Sequence, residues 1–405
     1  MRQASHSLRA HRSAAAGFTL VELMVALTIG LVLALAISLS MLSMGRQFRA
    51  VSATSAAQVN AQLALSLIDS AGRSAGAGLF SNGQPVCASF NAWNAGTLVS
   101  DGAPLLPARI IDGGSDSASD RLVFTASSAI GPLSGMPVLA QMGAGADPIV
   151  ITDGGSIAVN DLALVGVPGS ALPCTLFQAT AVATDTTGAS CGGNATRCKA
   201  LTHAAAGTYN PSPGTFTNTP RYGFATSGGV TGPAVVMGLG TGFRQEAYAV
   251  LCETLVQYDA FSDVPTCTTS PLAFAGGANA LVTDIVLLHA QYGVSNSAAS
   301  DVVTAWVDAS GGTWGSPSTA NLGRIKAVRV VIVSRSKEAA SELVTAANCS
   351  NTAGVVNTGP CSFDDAEAPV IDLSVTSVPS GRSWRNYRYR VLQAVVPLRN
   401  VIWSN

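Results

Sequence analysis

The sequence predicts an α+β protein. One long N-terminal helix, transmembrane at its start and amphipathic beyond, leads into an enlarged antiparallel β-sheet domain with disulfides. Three observations carry that expectation. The run from Leu23 to Gly45 holds no charged residue, and about 20 apolar residues suffice to cross the hydrocarbon core of a bilayer as a helix. From Leu79 onward, short alternating stretches lie between Gly, Ser and Asp clusters, the pattern of strands and turns. All eight cysteines lie beyond the apolar run, and an even count in an exported segment implies disulfides.

The apolar segment sets the orientation. Arg2, Arg9 and Arg12 precede it with no acid among them, so this flank stays cytoplasmic and the chain after Gly45 lies outside the inner membrane. A secretory signal peptide has its small-residue cleavage site after the apolar region. Here Ala14, Ala15, Ala16 and Gly17 come before it, so a cut after Gly17 would leave the helix in the mature protein. Glu22 is an acid inside this segment, and intramembrane acids usually have a partner. A cut after Gly17 would give Phe18 a cationic amine one helical turn from Glu22. That amine, from the same chain or a neighbour, could neutralise the carboxylate. The segment holds no second ionisable residue, which argues against a proton relay.

Gly17-Phe18-Thr19-Leu20-Val21-Glu22, followed by the apolar run, resembles the type III signal of type IV pilins and pseudopilins. The resemblance implies that a prepilin peptidase cuts after Gly17 and methylates Phe18, and that Glu22 guides docking into a growing filament. It implies a pilin-like division of the chain. Residues 1–17 are a removed leader, 18–78 the N-terminal helix (membrane-spanning in 18–45), and 79–405 a β-rich pilin domain with a loop insertion around 185–235.

Past Gly45 the helix continues, with Phe48, Ala56, Val59, Leu63 and Leu67 forming a stripe expected to pack onto the following sheet. Arg46, Arg49, Gln58, Asn60 and Gln62 occupy the other face. Gly72, Gly76 and Gly78 end it, and Asp69 and Arg73 sit one turn apart. Residues 121–126, 147–152 and 161–167 read as short strands. Residues 247–260 read as a strand pair or one strand and a turn, and 280–294 as a helix or a strand. Residues 325–336 are the strongest strand, with Val328, Val330 and Ile332 alternating against Arg329, Val331 and Val333. The tail 384–403 also alternates, and Pro397 limits it to an edge or a strand end. The segments 281–294, 325–336 and 387–400 resemble, in sequence and order, the C-terminal pattern of PilW-type minor pilins.

The cysteines admit several connectivities. Short loops favour Cys191–Cys198, Cys252–Cys267 and Cys349–Cys361, which leaves Cys87 with Cys174. No pair has C-x-x-C spacing, and after processing only His203 and His289 remain as imidazoles, which argues against a zinc site.

Composition excludes some functions. Only 11% of residues are charged and the net charge is −1, so no basic nucleic-acid footprint is evident. No G-x-S-x-G elbow falls at a strand-to-helix turn. His203 and His289 read as structural histidines, so no enzyme and no cofactor are expected. Asp112, Asp116 and Asp120 stand four apart and could offer oxygens to a hard cation. A solvated turn before the strand at Leu122 is the stronger reading. Arg382, Arg385, Arg388 and Arg390 among Trp384, Tyr387 and Tyr389 could bind nucleic acid. Alternation instead suggests a solvated sheet face with cation–π contacts.

The function expected from the resemblance is structural. It is that of a minor pilin priming type IV pilus assembly in a minor-pilin tip or initiation complex. Its partners would be other minor pilins, the major pilin, the prepilin peptidase, the inner-membrane assembly platform and membrane lipid. It would sit in the inner membrane as a single-pass protein, its bulk periplasmic, and then at the pilus tip. The alternatives are a minor pseudopilin of a type II secretion system, or a tip adhesin or DNA-binding pilin whose 185–235 loops engage a ligand.

Overall fold

The computed structural model describes residues 19–77, 79–81, 84–85, 87–127, 135–153, 156–167, 172–191, 197–211, 234–269 and 272–402. The chain forms two compact units, one up to Ala53 and one from Thr54. Helix α1 spans Leu20–Ser74.

In the first unit, Leu20–Met41 is long and apolar enough to cross a membrane, with a mean hydropathy of 2.6. Its large apolar side chains are exposed. Two hydroxyls within it bond to the helix itself: Thr28 Oγ1 donates to Val25 O and Ser38 Oγ to Ala34 O. In a medium without water, polar groups need such internal partners.

In the second unit the rest of α1 lies on the sheets, but not through the expected stripe. Ala56, Val59 and Leu63 are exposed and Leu67 is half-buried; Phe48, which falls in the first unit, is exposed too. The buried face is instead Ala57, Ala61, Ala64, Ile68, Gly72 and Ala75, at helical spacings of three and four. The sheet supplies the bulk, so the helix must supply the room. A Cβ on Gly72 would lie 2.5 Å from Val396 Cγ1 and 3.3 Å from Phe124 Cε1. The helix ends where Gly76 takes φ +77, the left-handed conformation that closes helices and favours glycine. Its N–H donates to Thr125 O. Asp69 and Arg73 pair at 2.6 Å.

Four sheets make up most of the domain. The six-stranded sheet runs Thr97–Pro104, Ser89–Asn94, Cys174–Gln178, Leu162–Gly166, Val235–Gly240, Met136–Pro137. The five-stranded sheet runs Asn279–Thr283, Thr254–Asp259, Arg244–Leu251, Arg121–Ala126, Ala108–Ile111. A three-stranded sheet joins Ala181–Asp185, Cys198–Thr202 and Ile149–Thr152. The four-stranded sheet runs Ala305–Asp308, Ile285–Val294, Ile325–Arg335, Tyr389–Pro397. Pairing within these sheets is antiparallel except between Ser89–Asn94 and Cys174–Gln178, which run parallel, a departure from an all-antiparallel domain.

Several ambiguous segments resolve. Residues 244–259 form a hairpin whose turn places Cys252 and Glu253 at positive φ. Residues 279–294 are strands and not helix, broken at Asp284 (φ 63). Tyr389–Pro397 is an edge strand that stops at its proline. Ile325–Arg335 alternates as expected, yet both of its faces are buried. Val328, Val330 and Ile332 join the main core with α1, while Val331 and Val333 pack with Ile371 and Leu373. Of the expected 185–235 insertion, Cys198–Thr202 is a strand, and 192–196 and 212–233 lie outside the described residues.

Four disulfides staple the domain: Cys87–Cys174, Cys191–Cys198, Cys252–Cys267 and Cys349–Cys361. This is the set that short loops favour. The first lies beside the parallel pair, where a Cβ on Gly166 would meet Cys174 Sγ at 2.3 Å, leaving room only for glycine.

Candidate assembly site

Gly17 and Phe18 lie outside the described residues, so the site begins at Thr19. Thr19 N and Thr19 Oγ1 both donate to Glu22 Oε2 at 2.9 Å, and Glu22 N donates to Thr19 Oγ1 at 3.3 Å. This is a reciprocal capping box, in which threonine and the glutamate three residues on satisfy each other's backbone N–H groups. Glu22 therefore has a local role that its spacing from Phe18 did not suggest, although the T-x-x-E signal was present in the sequence. The box holds the carboxylate at the start of the apolar helix, where the helix dipole favours negative charge.

On the second unit, polar contacts fix α1 against the sheets. Asn60 Nδ2 donates to Thr283 O and Asp284 Oδ2, at 3.2 and 3.3 Å. Ser334 Oγ donates to Ala57 O at 2.7 Å, and Asn400 Nδ2 to Ala75 O at 2.9 Å. Small residues allow the close approach, and these bonds fix the helix along its axis.

On the other face of the four-stranded sheet, Arg329 is buried at 1% exposure. Its Nε donates to Gln291 Oε1 and its Nη1 to Asp365 Oδ2, each at 2.6 Å, and Nη2 donates to Glu367 O. Its guanidinium lies 4.9 Å from the Trp306 ring centroid and 4.8 Å from that of Phe363. A strand position that alternation alone would leave facing solvent thus anchors the 363–367 segment. Only the partners, distant in sequence, reveal it.

The aspartates of 112–120 do not converge as metal ligands. Among the described residues, the one group of three potential ligand side chains within 4.8 Å of one another is Asp185, Cys191 and Cys198. Its two cysteines are bonded to each other. Asp112 and Asp116 are exposed, but Asp120 is buried, which overturns the solvated-turn reading at that position. Asp120 accepts from Gly113 N at 2.9 Å and Ala290 N at 2.8 Å, and faces His289 Nδ1 at 3.4 Å. The other imidazole nitrogen of His289 lies 3.0 Å from Asp116 O. Burial opposes charge on His289, but Asp120 and Asp116 outweigh it and raise the pKa above its ordinary value. These residues border an acidic cavity of about 340 Å³, which Asp308 and Glu367 also line.

His203 is likewise structural. It packs edge-on against Phe177, with Nε2 3.0 Å from Asp147 O. The letters G-x-S-x-G do occur at 188–192, but among the described residues no helix follows strand Ala181–Asp185 there. There Ser190 N donates to Asp185 and Cys191 is in a disulfide. The C-terminal arginines do not form a stacked array. Arg382 donates to Ala340 O and Arg385 to Thr345 O, while the cation that covers Tyr387 is Arg335, at 4.6 Å.

An apolar helix of membrane-spanning length, opened by a capped glutamate, precedes a disulfide-stapled, sheet-rich domain. Residues 12–38 match the family described as Prokaryotic N-terminal methylation motif. Residues 267–400 match the family described as Type IV Pilus-assembly protein W. No curated protein and no solved structure matches the chain. The two family matches support a type IV pilin-family minor pilin. Its role is related to the type IV pilus, and domains of this family are structural.

Proposed function

We propose that this minor pilin primes type IV pilus assembly as a member of a tip or initiation complex with other minor pilins. The match of residues 267–400 to the pilus-assembly family carries the reading. In it, Gly17 is the prepilin cleavage point, Phe18 the methylated N-terminus, and Glu22 the docking residue. The capping box supports the last role, because it aims the carboxylate at the helix start, where a neighbour's Phe18 amine would arrive. The sheet domain lies in the periplasm until the complex is pushed outward at the tip.

The test is co-purification of the tagged full-length protein from membranes, with N-terminal mass spectrometry. Minor pilins should come with it, and the mature chain should start at N-methyl-Phe18. Recovery of secretion-system pseudopilins in their place would assign the chain to a type II secretion pseudopilus.

A further inference from the structure

A second concavity carries the opposite charge. It measures about 250 Å³ and lies at the seam between the six-stranded and five-stranded sheets, next to strand Thr97–Pro104. Its floor is the sheet face bearing Val123 and Ala247, and Phe90 and Phe261 form part of its wall. Arg109 and Arg121 line it, and no Asp or Glu does.

The two arginines share that face. Arg109 is opposite Val123 and Arg121 opposite Ile111 across one antiparallel pair, so they are diagonal neighbours with Cα atoms roughly 7–8 Å apart. Among the described residues neither forms an ion pair, whereas Arg244, Arg329 and Arg335 each have a carboxylate. Arg121 Nη1 reaches Tyr258 OH only at 3.4 Å, longer than a strong N–H···O bond. Strand Ala108–Ile111 separates the two cavities by alternation. Arg109 and Ile111 line this one, and Ile110 and Asp112 line the acidic one.

We propose that this cleft binds a small organic anion, a carboxylate or phosphate head on a flat apolar body. The planar guanidinium forks match either head, in one or two charge-assisted bonds. The phenylalanines and the Val123–Ala247 floor take the body. The volume falls just below the usual range of small-molecule sites, about 300–1,000 Å³, which limits the ligand to about one ring. The proposal does not depend on the role in assembly.

The test uses full-length protein in maltoside micelles and fluorine NMR line widths of four probes. These are 4-(trifluoromethyl)benzoate, 4-(trifluoromethyl)phenylphosphonate, 4-(trifluoromethyl)benzamide and 4-(trifluoromethyl)benzylamine. At least one of the two anions should broaden, and Arg109→Gln with Arg121→Gln should weaken its binding by about tenfold or more. The amide and the amine should bind no better to the wild type than to the double variant. If the double variant does not fold, the exposed single change Arg109→Gln is read in the same way. Three results overturn the proposal: no broadening by either anion up to about 10 mM, equal binding of the amide, or a loss of less than about tenfold in the variant. A carboxylate-only or phosphonate-only response identifies the head group within the proposed class.

Discussion

Removing the Arg329 side chain is the sharpest test of how the C-terminal part of the domain is held. Arg329→Ala deletes three hydrogen bonds and two ring contacts at a site with 1% exposure. Gln291 keeps its bond to Asp308 but loses the donor to its Oε1, in a buried position. Asp365, with 38% of its side chain exposed, can be hydrated in part. Breaking a buried ion pair by removing one partner costs about 3–5 kcal/mol, a large share of a typical stability of about 5–15 kcal/mol. Arg329→Met should cost less than Arg329→Ala, because its stem fills the slot between Trp306 and Phe363. In Arg329→Met with Asp365→Asn, part of that loss should return. Urea unfolding of the full-length protein in micelles, followed by tryptophan fluorescence, gives each value, and Trp306 is a local reporter. A loss below about 1 kcal/mol for Arg329→Ala, or an equal loss for Asp365→Asn alone, would refute the anchor.

Gly72→Val should destabilise by about 1–3 kcal/mol through overpacking, with partial rescue by Val396→Ala, read from the same unfolding curves. Replacing Cys87 and Cys174 by Ser opens a cross-link between residues 87 positions apart and should cost on the order of 4 kcal/mol; unchanged unfolding of that variant would show that the parallel strand pair holds without the cross-link. Glu22→Ala and Glu22→Gln should be processed yet left out of the complex, whereas Thr19→Val, which removes the cap and keeps the charge, should still enter it. Blotting for processed protein and pull-down of other minor pilins separate these outcomes, and a processed Glu22→Ala that assembles normally rules out docking. His289 has a folded-state pKa above its unfolded value of ~6.5, so its stabilisation is fully present below that pH and is lost as pH rises through the folded pKa. Unfolding free energies of wild type and His289→Gln should therefore converge with rising pH, and a pH-independent difference contradicts the charged pair.

What the sequence shows directly is whatever depends on local periodicity or on covalent chemistry. The apolar run and the even cysteine count each have a counterpart in the structure; of the three glycines expected to end α1, Gly76 closes it, Gly72 lies inside it, and Gly78 is outside the described residues. The helix stripe was misread because apolarity and packing differ there. Val59 and Leu63 look like a core face, yet alanines and Gly72 make the contact, since Phe124 and Val396 already occupy the space. Asp120 was read as part of a solvated turn for a related reason, and the burial of Arg329 had no local signal either. A charged residue on an alternating strand, or in a Gly/Ser/Asp loop, defaults to solvent. Only tertiary contacts with Gln291, Asp365, Ala290 and His289 show that each is buried and satisfied.

The polar contacts that hold α1 fall unevenly along the chain, and this bears on which part of the domain positions the helix. Thr283, Asp284, Ser334 and Asn400 make these bonds, and all lie within residues 267–400, the stretch matching the pilus-assembly family. Val396, the side chain pressed closest to Gly72, lies there too. The preceding region adds Phe124 and the Thr125 carbonyl. Its six-stranded sheet gives Phe90, Leu164 and Leu176 to the core that α1 joins, and Phe177 and Val236 to a second core shared with Ile151 of the three-stranded sheet. The six-stranded sheet stands between that second core and the core that α1 joins, with Leu162 and Leu164 on one side and Ala163 and Val165 on the other. The hydrogen bonds on α1 thus come mainly from the family-matched stretch, whereas the central sheets add apolar packing through Phe90, Leu164 and Leu176.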